Sequence, residues 1–163
     1  MLKVGPFPSP NRVYSTNNKE GMEIVVWDEK KEKGKLAQMF ISYDSQCINS
    51  LAFQYIEGDQ FTLSPIFGSQ NLDAPNFETV TFMDGSDNEY YITRVSWSHG
   101  IIDNQKARGL KTLTIETNEK TYGPFGYPYS DTNFNISLGF GDQFGGFHGT
   151  ASSDIIKSIG VGR

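Results

Sequence analysis

Cysteine occurs once, at Cys47, so no disulfide can close within the chain and the fold must rest on its own core. That single thiol, with an opening Met-Leu-Lys-Val-Gly-Pro that has neither an apolar stretch nor a small-residue cleavage site, leads to the expectation of a reducing compartment, cytoplasmic or nucleocytoplasmic. Histidine occurs only twice, and two His with one distant Cys make no metal-ligand spacing, so neither metal nor cofactor is expected. Charged residues are scarce at 20%, and the balance is −5. A protein that gains affinity by neutralising phosphates needs the opposite sign, which argues against nucleic acid as a partner. No apolar run approaches the roughly 20 residues of a membrane helix, so no membrane insertion is expected. No segment carries an i, i+3, i+4, i+7 stripe with caps, so almost no helix is expected either.

Glycine (17 residues) and aromatics (13%) are plentiful, the composition of a turn-rich all-β protein. A length of 163 residues suits one domain, spanning 1–163. The chain also repeats itself. Val4-Gly5-Pro6-Phe7, Leu63-Ser64-Pro65-Ile66 and Tyr122-Gly123-Pro124-Phe125 place a proline after a short apolar strand three times, each 59 residues from the next. Ile48-Asn49-Ser50-Leu51-Ala52-Phe53, Leu110-Lys111-Thr112-Leu113-Thr114-Ile115 and Ile156-Lys157-Ser158-Ile159-Gly160-Val161 are apolar at offsets 0, 3 and 5, with a small hydroxyl at offset 2. Strict alternation would give 1, 3 and 5, so a bulge or bent entry is expected in every copy.

A preceding strand shares those offsets at Leu36/Met39/Ile41 and Ile92/Val95/Trp97, and more weakly at Phe144/Phe147/Gly149. The strands are 12 residues apart in the first and third copies and 18 in the middle one, which puts six extra residues between His99 and Gly109. The third copy ends without its proline turn, so it must borrow Val4-Gly5-Pro6 from the other end of the chain. Segments 22–28, 77–83 and 132–138 supply fourth strands. The expectation is three four-stranded sheets, with the first and last strands in one of them.

Among candidate chemistries, His148 near Ser152, Ser153 and Asp154 does not make a hydrolase, because no nucleophile elbow or oxyanion donors accompany it. His148 reads as a structural residue in a turn. His99 lies on the long middle connection with Asp103, Lys106 and Arg108, which either flanks a ligand or is a solvated insertion. Trp27 and Trp97 stand at inward strand positions and read as core.

The combination of Lys3-Val4-Gly5-Pro6-Phe7, Ile48-Asn49-Ser50-Leu51-Ala52-Phe53, Lys120-Thr121-Tyr122-Gly123-Pro124-Phe125-Gly126 and Gly145-Gly146-Phe147-His148-Gly149, with a terminal Ser158-Ile159-Gly160-Val161, resembles the jacalin-related lectins of plants. It is similar to their mannose-type cytosolic branch and to the jacalin-type proteins associated with restricting virus movement. The resemblance implies the β-prism I fold with pseudo-threefold symmetry, carbohydrate binding of mannose or glucose type, a glycan or glycoprotein partner, no enzyme activity, and self-association into a homo-oligomer.

It also implies a sugar site made by the loop after the first strand and by the last hairpin loop. There a carboxylate accepts sugar hydroxyls and backbone N–H groups donate. The residues that fall on that pattern are Pro8 and Ser9 at the first loop, and Ser153 and Lys157 at the family's Gly and Asp positions. Asp154 is a substitute acceptor, and Gly149, Ile155 and His99 complete the candidate set. A lysine cannot accept a hydrogen bond and Pro8 has no N–H to give. The alternative is therefore an interaction module in plant defence that keeps the fold and recognises protein.

Overall fold

The computed structural model describes residues 2–7, 24–30, 34–71, 73–83, 89–102, 107–127, 132–139, 141 and 143–163. Among them the chain forms only β-structure: β1 (Lys3–Phe7), β2 (Val25–Lys30), β3 (Lys35–Tyr43), β4 (Ile48–Glu57), β5 (Gln60–Leu63) and β6 (Phe67–Gly68). There follow β7 (Asn76–Thr81), β8 (Ile92–Ile102), β9 (Ala107–Thr117), β10 (Thr121–Gly126), β11 (Thr132–Ser137), β12 (Gly146–Ala151) and β13 (Ile156–Gly162). They make three antiparallel sheets, ordered β1-β13-β12-β2, β5-β4-β3-β7 with β6 also on β4, and β10-β9-β8-β11. Each sheet is centred on one of the hairpins β12–β13, β3–β4 and β8–β9. The opening strand pairs with the closing one, Val4 opposite Val161.

The expected bulge is present in all three hairpins, always at offset 1. Ser42 faces Ser50 but Tyr43 faces Ile48, so Asn49 is extra. By the same count Lys111 is extra on β9 and Lys157 on β13. Beyond the bulge, the hydroxyl at offset 2 meets a hydroxyl across the ladder, with Ser98 to Thr112 and Thr150 to Ser158 both at 2.6 Å.

The apolar residues at offsets 0, 3 and 5 of β4, β9 and β13 have no exposed surface at all. Burying each contributes about 1.5–3 kcal/mol. Trp27 and Trp97 are core, as their phase predicts. An aromatic pair closes each seam between sheets: Trp27–Phe67 at 4.9 Å, Tyr43–Phe125 at 5.6 Å and Phe7–Phe134 at 5.3 Å between ring centroids.

One sheet departs from four strands, and the repeated proline is the cause. Gly5 and Gly123 precede their prolines with φ of 90° and 101°, so β1 and β10 pass the proline with only a shift of register. The middle copy has Ser64, which does not share that freedom, and the edge strand breaks into β5 and β6. Ser64 bridges the gap. Its N–H donates to the Phe53 carbonyl and its Oγ accepts from the Phe53 N–H, both at 2.8 Å.

A bulged residue's carbonyl leaves the ladder and needs another donor. The Asn49 carbonyl accepts from Ser69 N–H and the Lys111 carbonyl from Tyr127 N–H, both at 2.9 Å. The residues just before these donors are Gly68 and Gly126, with φ of 91° and 98°, and a Cβ there would lie 2.2 and 2.0 Å from the two carbonyl oxygens. Gly126→Ala is expected to cost more than about 3 kcal/mol, because it adds both a positive-φ penalty and a backbone clash. Urea unfolding would read this as a lowered midpoint, and an unchanged midpoint would contradict the role given to this contact.

Candidate functional site

The three hairpins end at the same pole of the prism. There Cys47, Ile102 and Ile155, one from each hairpin, form a fully buried apolar cluster separate from the main core. Gly109 makes room for it, since a Cβ would stand 2.7 Å from the Cδ1 atoms of both isoleucines. Two of the tips share one turn. Ser152 N–H donates to the Ile155 carbonyl at 3.0 Å, while its Oγ accepts from the N–H groups of Asp154 and Ile155 at 3.3 Å. Asp44 does the same on β3–β4: its N–H donates to the Cys47 carbonyl, and its carboxylate accepts from the N–H groups of Gln46 and Cys47 at 2.7 and 2.9 Å.

The residues picked out from the sequence separate here. Ser153 and Asp154 are exposed on the last tip. Ile155 is wholly buried in the small cluster. Lys157 is the bulged residue of β13 and is 95% buried, with 5% exposure. Among the described residues no salt bridge or hydrogen bond reaches its ammonium. Gly149 stands inside β12, paired to Ile159 on one side and Trp27 on the other. A Cβ on it would meet the Ser158 carbonyl at 2.2 Å and Trp27 at 2.8 Å, so its face is filled and offers a ligand no space. Pro8 and Ser9 lie outside the described residues.

Two placements correct the sequence reading. The six extra residues of the middle copy lengthen the hairpin rather than forming only a loop, and His99 is a strand residue opposite Leu110, 5% exposed. Burial holds its pKa down at about 4, helped by the positive charges of Arg108, Lys157 and Lys111. His148 sits in mid-strand on β12, not in a turn. Burial lowers its pKa, and the nearby Gly5 backbone opposes that shift.

Sequence reasoning passed over Asn49 and Lys111. The signal for them was present, because both occupy the repeat offset of Lys157. Lys111 is half-buried and places its ammonium 4.7 Å from the Tyr127 ring centre. Burial also pushes the Cys47 thiol up to about 12, with the Asp44 charge adding to it, so this cysteine is chemically quiet.

The Jacalin-like lectin domain model matches residues 19–162. The chain belongs to the jacalin-like lectin family. Among Arabidopsis thaliana proteins it is 31% identical to Protein RESTRICTED TEV MOVEMENT 1, over 98% of this chain and 85% of that one. It is 29% identical to Jacalin-related lectin 2, over 98% and 84%. Its fold matches the crystal structure of an artocarpin–mannotriose complex with a TM-score of 0.73 at 22% identity, covering 99% of this chain and 95% of that one.

The segments that mark this jacalin-like chain are packing devices. Gly160 allows the His148 ring to lie against the β13 backbone, since a Cβ would be 2.5 Å from His148 Nε2 and from the Val4 carbonyl. Gly5 closes the same contact from β1, where a Cβ would be 2.9 Å from the Gly160 Cα. Gly149 admits Trp27.

The buried histidines predict an acid-labile fold. A histidine of depressed pKa binds its proton in the unfolded chain near pH 6.5 but in the native one only near 4, so the stability it supplies is complete above 6.5 and falls as pH drops. Calorimetry between pH 7.5 and 4.5 should show the melting temperature falling, with His99→Gln flattening part of the decline. Identical slopes in both proteins would refute the assignment.

Proposed function

We propose that this jacalin-like lectin domain recognises carbohydrate of mannose or glucose type at the pole where its last hairpin turns. The observation that carries the reading is the exposed Ser153-Asp154 tip. It is held still by Ser152 beneath it, and it presents a carboxylate that makes no salt bridge among the described residues. A fixed carboxylate accepts two vicinal hydroxyls in charge-assisted bonds without losing loop entropy. The likeness to artocarpin, whose crystal structure is of a mannotriose complex, supports the ligand class. The reading has no catalytic step: the domain binds and releases. It also places the protein in the cytoplasm or nucleocytoplasm, and in a homo-oligomer that multiplies weak sites. Exposed Val25 and Val26 on the edge strand β2 support self-association.

A second reading has its own observation. Ser152 Oγ already holds the N–H groups of Asp154 and Ile155, and Lys157 offers no acceptor, so the donors and acceptor of the family pattern are spent or replaced. The fold would then serve as a protein-recognising module in plant defence, in line with the similarity to Protein RESTRICTED TEV MOVEMENT 1.

Calorimetric titration with methyl mannoside, repeated with galactose, separates the two. Millimolar binding of the mannoside, at least tenfold weaker for galactose and lost in Asp154→Ala, is the expected result. Binding that survives Asp154→Ala would remove that residue from the site. No binding to any sugar would leave the protein-recognition reading.

A further inference from the structure

Three equivalent backbone bulges deliver Asn49, Lys111 and Lys157 to the pole that carries the proposed sugar site. From the charge, burial and missing partner of Lys157, we infer that the ligand of this pole is an anionic glycan, a sugar bearing a carboxylate, with Lys157 as the group that receives the charge. The inference rests on the carbohydrate reading and narrows its ligand class.

Burial makes an ammonium costly unless it is paired, and Lys157 is buried with no paired carboxylate among the described residues. Next to it in the fold, His99 is as buried, and its Nε2 has no hydrogen-bond partner. Groups left open in this way at one place are what an absent ligand would satisfy.

The local charge has the required sign. Arg108, Lys111 and Lys157 all act on His99, in a chain whose net charge is −5. Among the described residues two carboxylates stand against them. Asp44 is committed to the backbone of Gln46 and Cys47 and to the Asn49 amide. Asp154 is exposed on the rim, where its charge acts on Lys157.

In this arrangement the sugar hydroxyls meet Asp154 and Ser153 at the rim, and the carboxylate of the same sugar reaches Lys157 behind them. His99 Nε2 is left to donate a further hydrogen bond to it. A neutral hexose would satisfy the rim alone.

The test compares methyl glucuronide with methyl glucoside, which differ in the carboxylate, and adds inorganic phosphate as a bare anion. All are titrated calorimetrically into the full chain. The glucuronide is expected to bind about tenfold more tightly than the glucoside, and its affinity should fall as sodium chloride is raised while that of the glucoside does not. Lys157→Met should abolish the difference and Lys157→Arg should retain most of it. If Lys157→Met fails to fold by circular dichroism, the wild-type preference and its salt dependence still decide.

Equal affinity for the two glycosides would overturn this inference and leave the carbohydrate reading standing. Binding of neither would overturn the carbohydrate reading itself. Phosphate competing as well as the glucuronide would overturn the glycan assignment, since the pole would then be an anion site without regard to sugar.

Discussion

A backbone carbonyl pressed against a position without a Cβ is the contact on which this prism depends. In each central hairpin an extra residue shifts the pleat, so that side chains at offsets 0 and 3 both turn inward where plain alternation would send one of them out. The core gains a layer from every sheet. The cost is a carbonyl ejected from the ladder, and an unpartnered buried carbonyl would cost about 1–3 kcal/mol. The next segment of chain answers it with an N–H, in Ser69 and Tyr127, and can come close enough only because Gly68 and Gly126 precede those donors.

Closure of the chain upon itself obeys the same logic with different groups. β1 is separated from β13 by nearly the whole sequence, and a strand joined from so far pays a large loop-closure entropy. It is held by backbone pairing, and by His148 and Gly160, which form a flat seat for the Gly5 turn. The Phe7–Phe134 stack then joins that first strand to the third sheet. The aromatic pairs at the other two seams do the corresponding work, so the three sheets lock as a ring and no seam relies on polar contacts alone.

Much of this architecture could be read from the residues because its causes are local and repeated. Offsets 0, 3 and 5 announced the bulge, the evenly spaced prolines announced the edge strand, and the missing last proline announced that head and tail must pair. The break at Ser64 was not legible, since it depends on whether the residue before the proline can take a positive φ, and Leu-Ser-Pro-Ile matched the other two copies in every coarser respect. His99 misled for a related reason. A polar residue beside an insertion suggests a loop, yet the insertion extended both strands and carried the histidine under its neighbours. The Gly-Phe-His-Gly run was recognised as a family mark, but its work is steric, and only coordinates show that Trp27 and the β13 backbone fill the spaces those glycines leave.

The pole shows how the frame of this fold and the charge at its end are set independently. A bulged residue has its backbone fixed by the register on either side, but in none of the three copies does it belong to the apolar cluster. The three equivalent positions carry Asn, Lys and Lys, and the layers beneath them are equally well buried in every copy. Replacing an acceptor by an ammonium at such a position therefore alters the electrostatics of the pole without disturbing the residues at offsets 0, 3 and 5. The hydrophobic pattern that identifies the fold and the polar residue that sets its chemistry lie one position apart in sequence, Ile156 beside Lys157, and are under separate physical constraints. The fold of this chain consequently rests on the sheets, the seams and the seated glycines, while the sign of charge at the pole is decided by side chains that none of these requires.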